Sequence, residues 1–317
     1  AEVLANLVAA GITAFDVASP EEMRAVRSVC PRAVLHYNNP VRSVPEIEVA
    51  AQMGVASYSI DCLRELDKLT GRIASDAEVT VRLALPVRGA AYDFGAKFGV
   101  GPERAADLLR AVVERGFNPS MTFHPGTQCA DPVAWGAYIG VVAEVARSAG
   151  VRLARLNVGG GFAAHRTGDA PDLTAIFTHI GAEVARVFGA DAPALVCEPG
   201  RAMVAEAFSL AVRVKALRDN GAIFLNDGVY GGRDIGAPDR ITVLAPDGTA
   251  RSGAPHPRVV FGPTCDSIDR LPDPLPLPED LDEGDYLLIA GMGAYTRCLS
   301  TDFNGYGLRE VVTVAQL

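Results

Sequence analysis

Two segments in the middle of the chain carry residues that suit the binding of an anion. Residues 157–162 read N-V-G-G-G-F, and glycines that follow a strand allow backbone N–H groups to close around a phosphate. Residues 197–201 read C-E-P-G-R, which places Glu198 and Arg201 beside a tight turn. Each segment alone also fits an ordinary turn. Together they predict a phosphate site with Arg201 as a second ligand.

Three further segments place titratable residues, or glycines that kink the chain, at strand ends and turns. His124 ends a predicted strand and is followed by P-G-T, Cys265 and Asp266 lie together in G-P-T-C-D-S, and residues 291–295 read G-M-G-A-Y. A strand histidine is more often structural, and a turn cysteine is often only a small apolar residue. The position of His124 at a strand end favours a functional interpretation.

The elements that must position these residues alternate along the first two-thirds of the chain. β-rich runs and amphipathic helical runs follow each other about every 30 residues, which predicts repeated βα units around a parallel sheet. Where such units close into a barrel, the active site lies at the carboxyl ends of the strands. The residues at those ends are Asp16, Asn38, Asp61, Arg82, His124, Gly159 to Gly161 and Glu198. The predicted strands are 12–18, 33–38, 57–61, 80–85, 121–126, 155–160 and 194–199.

The pattern predicts a TIM-type (β/α)8 barrel over residues 1–206, followed by an all-β domain over residues 207–317. A closed barrel of this type has eight strands, whereas seven are predicted here and the chain begins with a helical segment. We therefore expect the first strand to precede Ala1. The proline-rich residues 271–285 are predicted to form a surface loop. Before the first long helix, Ser19 is predicted to be its N-cap and Glu22 to complete a capping box.

Composition excludes several classes of protein. The 317 residues are 49% apolar and 21% charged, which is typical of a globular protein, and no apolar run is long enough to span a bilayer. The net charge of −9, without a cluster of basic residues, argues against nucleic acid as a partner. Six scattered cysteines without a C-x-x-C motif predict reduced thiols and a cytoplasmic protein. No pattern predicts a metal site.

Taken together and in order, the motifs resemble those of a known family. F-H-P-G-T, N-V-G-G-G-F, E-P-G-R, N-D-G-V-Y-G, G-P-T-C-D-S-I-D and G-M-G-A-Y-T resemble the ornithine, lysine and diaminopimelate decarboxylases, which have a (β/α)8 barrel followed by a β domain. The resemblance implies pyridoxal 5′-phosphate as the cofactor and decarboxylation of a basic amino acid such as ornithine or lysine to the diamine. It also implies a homodimer with shared active sites.

The resemblance assigns a role to each candidate residue. His124 would stack on the pyridine ring, Glu198 would pair with the protonated ring nitrogen, and Cys265 would act as the acid. Asp266 would reach the distal group of the substrate across the dimer interface. The other cofactor-binding candidates are Asp16, Arg82, Thr127, Gly159, Gly160, Gly161, Gly200, Arg201 and Tyr295, and the other substrate-binding candidates are Asp239 and Phe303.

The lysine that holds the cofactor covalently in the family has no counterpart among the motifs of this chain. Its only lysines are Lys68, Lys97 and Lys215, whereas the family's lysine ends the first barrel strand. The absent strand and the absent lysine both predict a segment ahead of Ala1. Two alternatives remain open: a diaminopimelate decarboxylase, and a non-catalytic regulatory homologue, which a protein without the absorbance of a bound cofactor would favour.

Overall fold

The chain divides into two compact units. The computed structural model describes residues 2–85, 97–166, 168–232, 240–307 and 310–314. The first unit comprises Ala1–Phe162 and Asp172–Pro199, and the second comprises Ala163–Pro171 and Gly200–Leu317. The domain boundary predicted at residues 206 and 207 stays a prediction.

The first unit is built on a seven-stranded parallel sheet. Its strands pair in chain order, each one parallel to the next. The strands are β1 (Ala14–Asp16), β2 (Val34–Tyr37), β3 (Ser57–Ile60), β4 (Glu78–Arg82), β5 (Asn118–Thr122), β6 (Arg155–Asn157) and β7 (Ala194–Val196). The predicted parallel βα arrangement is therefore confirmed. β5 differs from its prediction, because it begins at Asn118 and ends before His124.

Seven helices accompany these strands in the described part of the first unit. They are α1 (Glu2–Ala9), α2 (Pro20–Val29), α3 (Val44–Gln52), α4 (Leu63–Leu69), α5 (Pro102–Glu114), α6 (Pro132–Ala149) and α7 (Leu173–Phe188). The predicted cap of α2 is confirmed, since Ser19 Oγ accepts the N–H of Glu22 at 3.3 Å. The prediction that Glu22 completes a capping box is wrong. The Glu22 carboxylate accepts the N–H of Ala18 and not that of the N-cap residue Ser19. No helix in the described residues is long and apolar enough to cross a membrane.

Both faces of the central strands β3 and β4 are buried, but their chemistry differs. Successive side chains of a strand point to opposite faces, so alternate residues share a face. In β3 and β4 the buried apolar residues Tyr58, Ile60, Val79 and Val81 alternate with polar ones. The buried polar side chains of the sheet and its strand ends are Asn38, Ser57, Ser59, Thr80, Ser120, Thr122 and Asn157. A polar face of this kind can continue directly into a polar site at the ends of the strands.

The second unit is built mainly of β-strands, as the sequence predicts. The strands are β8 (Leu210–Leu217), β9 (Ile223–Leu225), β10 (Ile241–Leu244), β11 (Pro255–Arg258), β12 (Val260–Phe261), β13 (Leu275–Pro278) and β14 (Tyr286–Ile289). A short helix, α8 (Gly200–Val204), precedes them. A five-stranded sheet has the order β10-β14-β8-β9-β12, and a separate ribbon pairs β11 with β13.

The proline-rich segment is not simply the surface loop that its composition predicts. Leu275–Pro278 forms a strand that pairs antiparallel with Pro255–Arg258. Leu275 and Leu277 are buried, and they alternate with two prolines along the strand. Each strand of a two-stranded ribbon has an outer edge, where a residue without an N–H removes no ladder hydrogen bond. The alternation of leucine and proline therefore indicates an edge strand.

Candidate active site

Polar side chains gather at the carboxyl ends of the parallel strands in the first unit. Asp16 is the last residue of β1 and Arg82 is the last residue of β4, while His124 and Glu198 each lie two residues beyond their strands. Because neighbouring strands run parallel, these ends share one edge of the sheet. The predicted strand-end candidates are thus brought to one place.

Glu198 is held by two amide side chains that bond to the same carboxylate oxygen. Asn38 Nδ2 donates to Oε1 at 2.7 Å, and Asn157 Nδ2 donates to the same atom at 2.5 Å. Asn157 Oδ1 accepts the N–H of Gly159 at 2.9 Å. Asn157 begins the N-V-G-G-G-F motif, but the motif by itself predicts no role for it. Its polarity at the last position of a strand was the signal that could have identified it.

Asp16 and Glu198 are two carboxyls whose ionisation is opposed by their surroundings. Burial raises the pKa of Asp16 well above its usual value, and the Glu198 charge raises it further. Burial also raises the pKa of Glu198, whereas the hydrogen bond from Asn157, the charge of Arg82 and the hydrogen bond from Asn38 lower it. A cation placed beside these carboxyls would favour their ionised form. The arrangement therefore suits a protonated ring nitrogen.

His124 presents a neutral ring at this edge. The N–H of Gly126 donates to its Nδ1 at 3.1 Å. Burial, and to a smaller extent the charge of Arg82, lowers the pKa of His124 to about 4. At neutral pH the ring is therefore uncharged, and an uncharged flat ring can stack on an aromatic ligand. Thr127 follows in the same turn, which bonds to the glycine segment through the N–H of Cys129 and the carbonyl of Gly161.

The three glycines after β6 lie so close to neighbouring backbone that no side chain fits. A Cβ at Gly159 would lie 2.0 Å from the carbonyl oxygen of Phe123, and one at Gly161 would lie 2.0 Å from that of Gly126. A Cβ at Gly160 would lie 2.7 Å from the carbonyl oxygen of Glu198. Gly159 and Gly161 also have positive φ angles of 70° and 82°. This is the bare backbone that close approach of a phosphate requires.

The change Gly159→Ala is expected to lower the free energy of unfolding by at least about 2 kcal/mol, since backbone strain at positive φ adds to overpacking. Gly150→Ala is the matched control. Gly150 also has a positive φ, of 68°, but a Cβ added there would have no atom within 4 Å. Chemical denaturation of both variants would measure the difference. Equal losses of stability would show that the Gly159 contact with Phe123 is unimportant.

In the second unit, two predicted phosphate ligands pack on each other. The guanidinium carbon of Arg201 lies 4.8 Å from the ring centroid of Tyr295. Arg201 belongs to α8, whose first residue is Gly200. Tyr295 has a φ of +56° and its surface is 55% exposed. The contact with the ring helps to orient the guanidinium and does not neutralise its positive charge.

A second cluster in the same unit brings together Cys265, Asp266 and Phe303. Tyr230 Oη donates to Asp266 Oδ2 at 2.5 Å, and the ring of Tyr230 lies 4.9 Å from that of Phe303. Cys265 Sγ donates to Asn304 Oδ1 at 3.4 Å. Tyr230 lies in the N-D-G-V-Y-G motif and Asn304 directly follows Phe303, but neither position predicted a role. Asp239, the other predicted carboxylate, lies outside the described residues.

The turn that carries Cys265 and Asp266 is fixed by a buried carboxylate. Asp269 accepts hydrogen bonds from the N–H of Val229 and from both the N–H and the hydroxyl of Thr264. The hydrogen bond from Tyr230, followed by that from the N–H of Ile268, lowers the pKa of Asp266. Asp266 is therefore a carboxylate at neutral pH and presents a negative charge on a constrained turn.

Comparison with known proteins gives consistent matches over nearly the whole chain. A sequence profile described as "Pyridoxal-dependent decarboxylase, pyridoxal binding domain" matches residues 1–205. The lysine/ornithine decarboxylase of Selenomonas ruminantium is 32% identical over 320 residues, which cover 98% of this chain and 80% of that protein. The solved arginine decarboxylase of Paramecium bursaria Chlorella virus has a TM-score of 0.82 at 25% identity, covering 96% of this chain and 84% of that one. The lysine/ornithine decarboxylase of Vibrio vulnificus, solved with cadaverine, has a TM-score of 0.80 at 28% identity, covering 98% and 85%.

These matches and the residues at the strand ends define a class of protein. The chain belongs to the pyridoxal-dependent decarboxylases, which are lyases with pyridoxal phosphate as their cofactor. The predicted fold class, a TIM-type barrel followed by an all-β domain, is confirmed by the structural neighbours. The predicted cofactor is confirmed as well.

Proposed function

We propose that this protein decarboxylates L-ornithine or L-lysine to the corresponding diamine and that it works as a homodimer with shared active sites. The observation that carries the choice of substrate is the ionised Asp266, held by Tyr230 beside Cys265 in one constrained turn. A carboxylate of this kind complements the distal ammonium of a basic amino acid. The similarity to the lysine/ornithine decarboxylases of Selenomonas ruminantium and Vibrio vulnificus supports this choice.

The residues of the first unit fit pyridoxal phosphate. Glu198 suits the protonated ring nitrogen, the neutral His124 suits stacking on the ring, and Gly159 to Gly161 offer bare backbone to the phosphate. Arg201 and Tyr295 stay predicted phosphate ligands. The other predicted cofactor-binding residues are Asp16, Arg82, Thr127 and Gly200. When bound, the cofactor supplies an electron sink for the electron pair that remains when carbon dioxide leaves.

Cys265 is the residue proposed to return a proton to the α-carbon of the substrate. Its backbone N–H and its thiol both point to the amide oxygen of Asn304, at 3.3 Å and 3.4 Å. A single acceptor for both groups fixes the side-chain rotamer of the cysteine. Asn304 thereby orients the thiol that is proposed as the acid.

Asp266 and Phe303 are proposed to recognise the side chain of the substrate. The carboxylate of Asp266 would bind the distal ammonium by a charge-assisted hydrogen bond. The ring of Phe303, packed on Tyr230 and 43% exposed, offers an apolar surface to the methylene groups. Asp239 stays a predicted second carboxylate, and the cytoplasmic location likewise stays a prediction.

The substrate assignment is tested by measuring release of carbon dioxide from a panel of amino acids. L-Ornithine, L-lysine, L-arginine and meso-diaminopimelate are offered to the purified holoenzyme at equal concentrations. We expect kcat/KM for ornithine or lysine to exceed that for the other two by at least about tenfold. The second carboxylate of diaminopimelate would be repelled by Asp266, and the guanidinium of arginine is larger than an ammonium. Preference for diaminopimelate or arginine would overturn the assignment, and absence of cofactor binding would favour a non-catalytic homologue.

A further inference from the structure

We propose that Asn38 and Asn157 are paired positioning residues, which keep the Glu198 carboxylate ionised and aim its second oxygen at the ring nitrogen of the bound cofactor. This inference rests on the proposed function only in the assignment of Glu198 to that nitrogen. Both asparagines are buried, and each lies at or just beyond the carboxyl end of a different strand, β2 or β6. Glu198 therefore accepts hydrogen bonds from the ends of two different strands.

The two amides occupy one oxygen of the carboxylate. Asn38 and Asn157 both donate to Oε1, at 2.7 Å and 2.5 Å. Each oxygen of an ionised carboxylate carries more negative charge than the carbonyl oxygen of a protonated carboxyl, so N–H donors bind the ionised form more strongly. Two donors on one atom therefore favour the charged form, and they leave Oε2 to bind a protonated nitrogen.

The orientation of both amides is determined by their other hydrogen bonds. Asn157 Oδ1 accepts the N–H of Gly159, and a backbone N–H can only donate. Asn38 Oδ1 accepts the hydroxyl of Ser59 at 2.9 Å. The NH2 group of Asn157 must then face Glu198, and the Asn38 amide has the same arrangement, with its NH2 group on Glu198 and its oxygen on Ser59. Since Asn157 also bonds to the glycine segment, the residue that aims the carboxylate is joined to the backbone that suits the phosphate.

The charged neighbours explain why the carboxylate needs this help. Burial opposes the ionisation of Glu198 and raises its pKa, and the charge of Glu198 in turn raises the pKa of the nearby Asp16, at the end of β1. Arg82, at the end of β4, favours ionisation, but its charge also interacts with Asp16 and Asp61. His124, beyond β5, is neutral because its pKa is about 4, and the neighbouring thiol of Cys197 has a raised pKa. The amides thus supply stabilisation that a single shared arginine does not.

The test compares the variants Asn38→Leu, Asn38→Asp and Asn157→Leu in the holoenzyme. Loss of a donor to the charged form raises the pKa of Glu198, so the acid limb of the kcat/KM profile should move to higher pH. We expect a move of about one pH unit for each leucine variant, since a hydrogen bond to a charged group is worth roughly that much. Asn38→Asp has nearly the same shape but adds a second carboxylate, and should move the limb further.

A second readout does not depend on turnover. The dissociation constant of pyridoxal phosphate, measured across pH from the absorbance of the bound cofactor, should rise at the acid end over the same shifted range. Asn118→Leu is the control, because Asn118 begins β5 and donates to the carbonyl of Asp76 away from Glu198. Its two profiles should coincide with those of the wild type.

The outcomes separate this inference from the proposed function. If both Asn38 variants keep the wild-type profiles while Glu198→Gln is impaired, the positioning role is wrong and the proposed function stands. A smaller shift for Asn38→Asp than for Asn38→Leu would also overturn it, since a merely structural amide is replaced better by an isostere. If the holoenzyme fails to decarboxylate basic amino acids, the proposed function fails, while the affinity profile still tests the asparagines.

Discussion

Replacing Glu198 by glutamine is expected to lower turnover by about 10²–10³-fold while pyridoxal phosphate continues to bind. Asn38 and Asn157 donate to one oxygen of Glu198, and they should hold the carbonyl oxygen of the glutamine in that place. Its NH2 group would then face the ring nitrogen. Because an NH2 group cannot accept the N–H of a protonated ring, the nitrogen would lose its proton and the cofactor would become a weaker electron sink.

Steady-state kinetics and a cofactor titration of the same preparation measure the two halves of this prediction. Glu78→Gln is the control. Glu78 belongs to the same sheet and pairs with Arg155 at 3.0 Å, but both residues begin their strands and so lie at the opposite edge from Glu198. It should lose stability but not turnover. Unchanged turnover of Glu198→Gln would mean that Glu198 is only a turn residue.

Replacing Asp266 by alanine should raise KM for ornithine or lysine by roughly ten- to a hundred-fold, the effect of losing one charge-assisted hydrogen bond. The residual rate with neutral amino acids should change little, because they have no distal ammonium. Asp266→Asn keeps the size of the side chain and removes the charge, so it should show the same selective loss. Initial-rate measurements with lysine and with norleucine would show the contrast.

Asp280→Ala is the matched control for Asp266. The Asp280 carboxylate also accepts backbone N–H groups in a loop of the second unit, from Ser252 and Gly253, but it is not part of the cysteine turn. Its KM values should equal those of the wild type. A loss at Asp266 that is equal for basic and neutral substrates would contradict the recognition role.

The proposed sharing of sites between subunits adds a complementation test to the same variant. Subunits with Asp266→Ala are mixed with subunits that carry Glu198→Gln. A shared site in such a hybrid dimer would contain an intact Glu198 and an intact Asp266, and part of the activity should return. If the mixed subunits exchange to form hybrid dimers and activity does not return, each subunit works alone.

Several elements of the fold could be predicted from local sequence patterns alone. The positions of β3, β6 and β7 follow from short β-rich runs between amphipathic helices, and Ser19 caps α2 as its type and spacing predict. Parallel strands place their carboxyl ends at one edge, so Asp16, Arg82 and Glu198 could be grouped before any contact was known. The strand positions and the cap depend on interactions between near neighbours in the chain, and the grouping of strand ends follows from the general geometry of parallel sheets.

Two predictions were wrong for different reasons. Composition predicts a loop at Leu275–Pro278, but pairing with Pro255–Arg258, some twenty residues earlier, makes it an edge strand. The predicted fifth strand extended past His124, whereas the observed strand ends at Thr122 and Gly126 then bonds to the histidine ring. A partner distant in sequence decided the first structure, and the bond of a side chain to its own turn accompanies the second.

The sequence by itself determined the succession of parallel strands in the first unit, the glycine segment after β6, and the motifs that place the chain in its family. Only the tertiary structure decided how the titratable groups are held. Asn38 and Asn157 are 119 positions apart, yet they bond to one oxygen of Glu198, and Tyr230 reaches Asp266 across 36 positions. Burial and charge set the pKa values of Asp16 and His124 through neighbours on other strands. Such contacts depend on which strand ends meet in space, and no local pattern of residues encodes that distance.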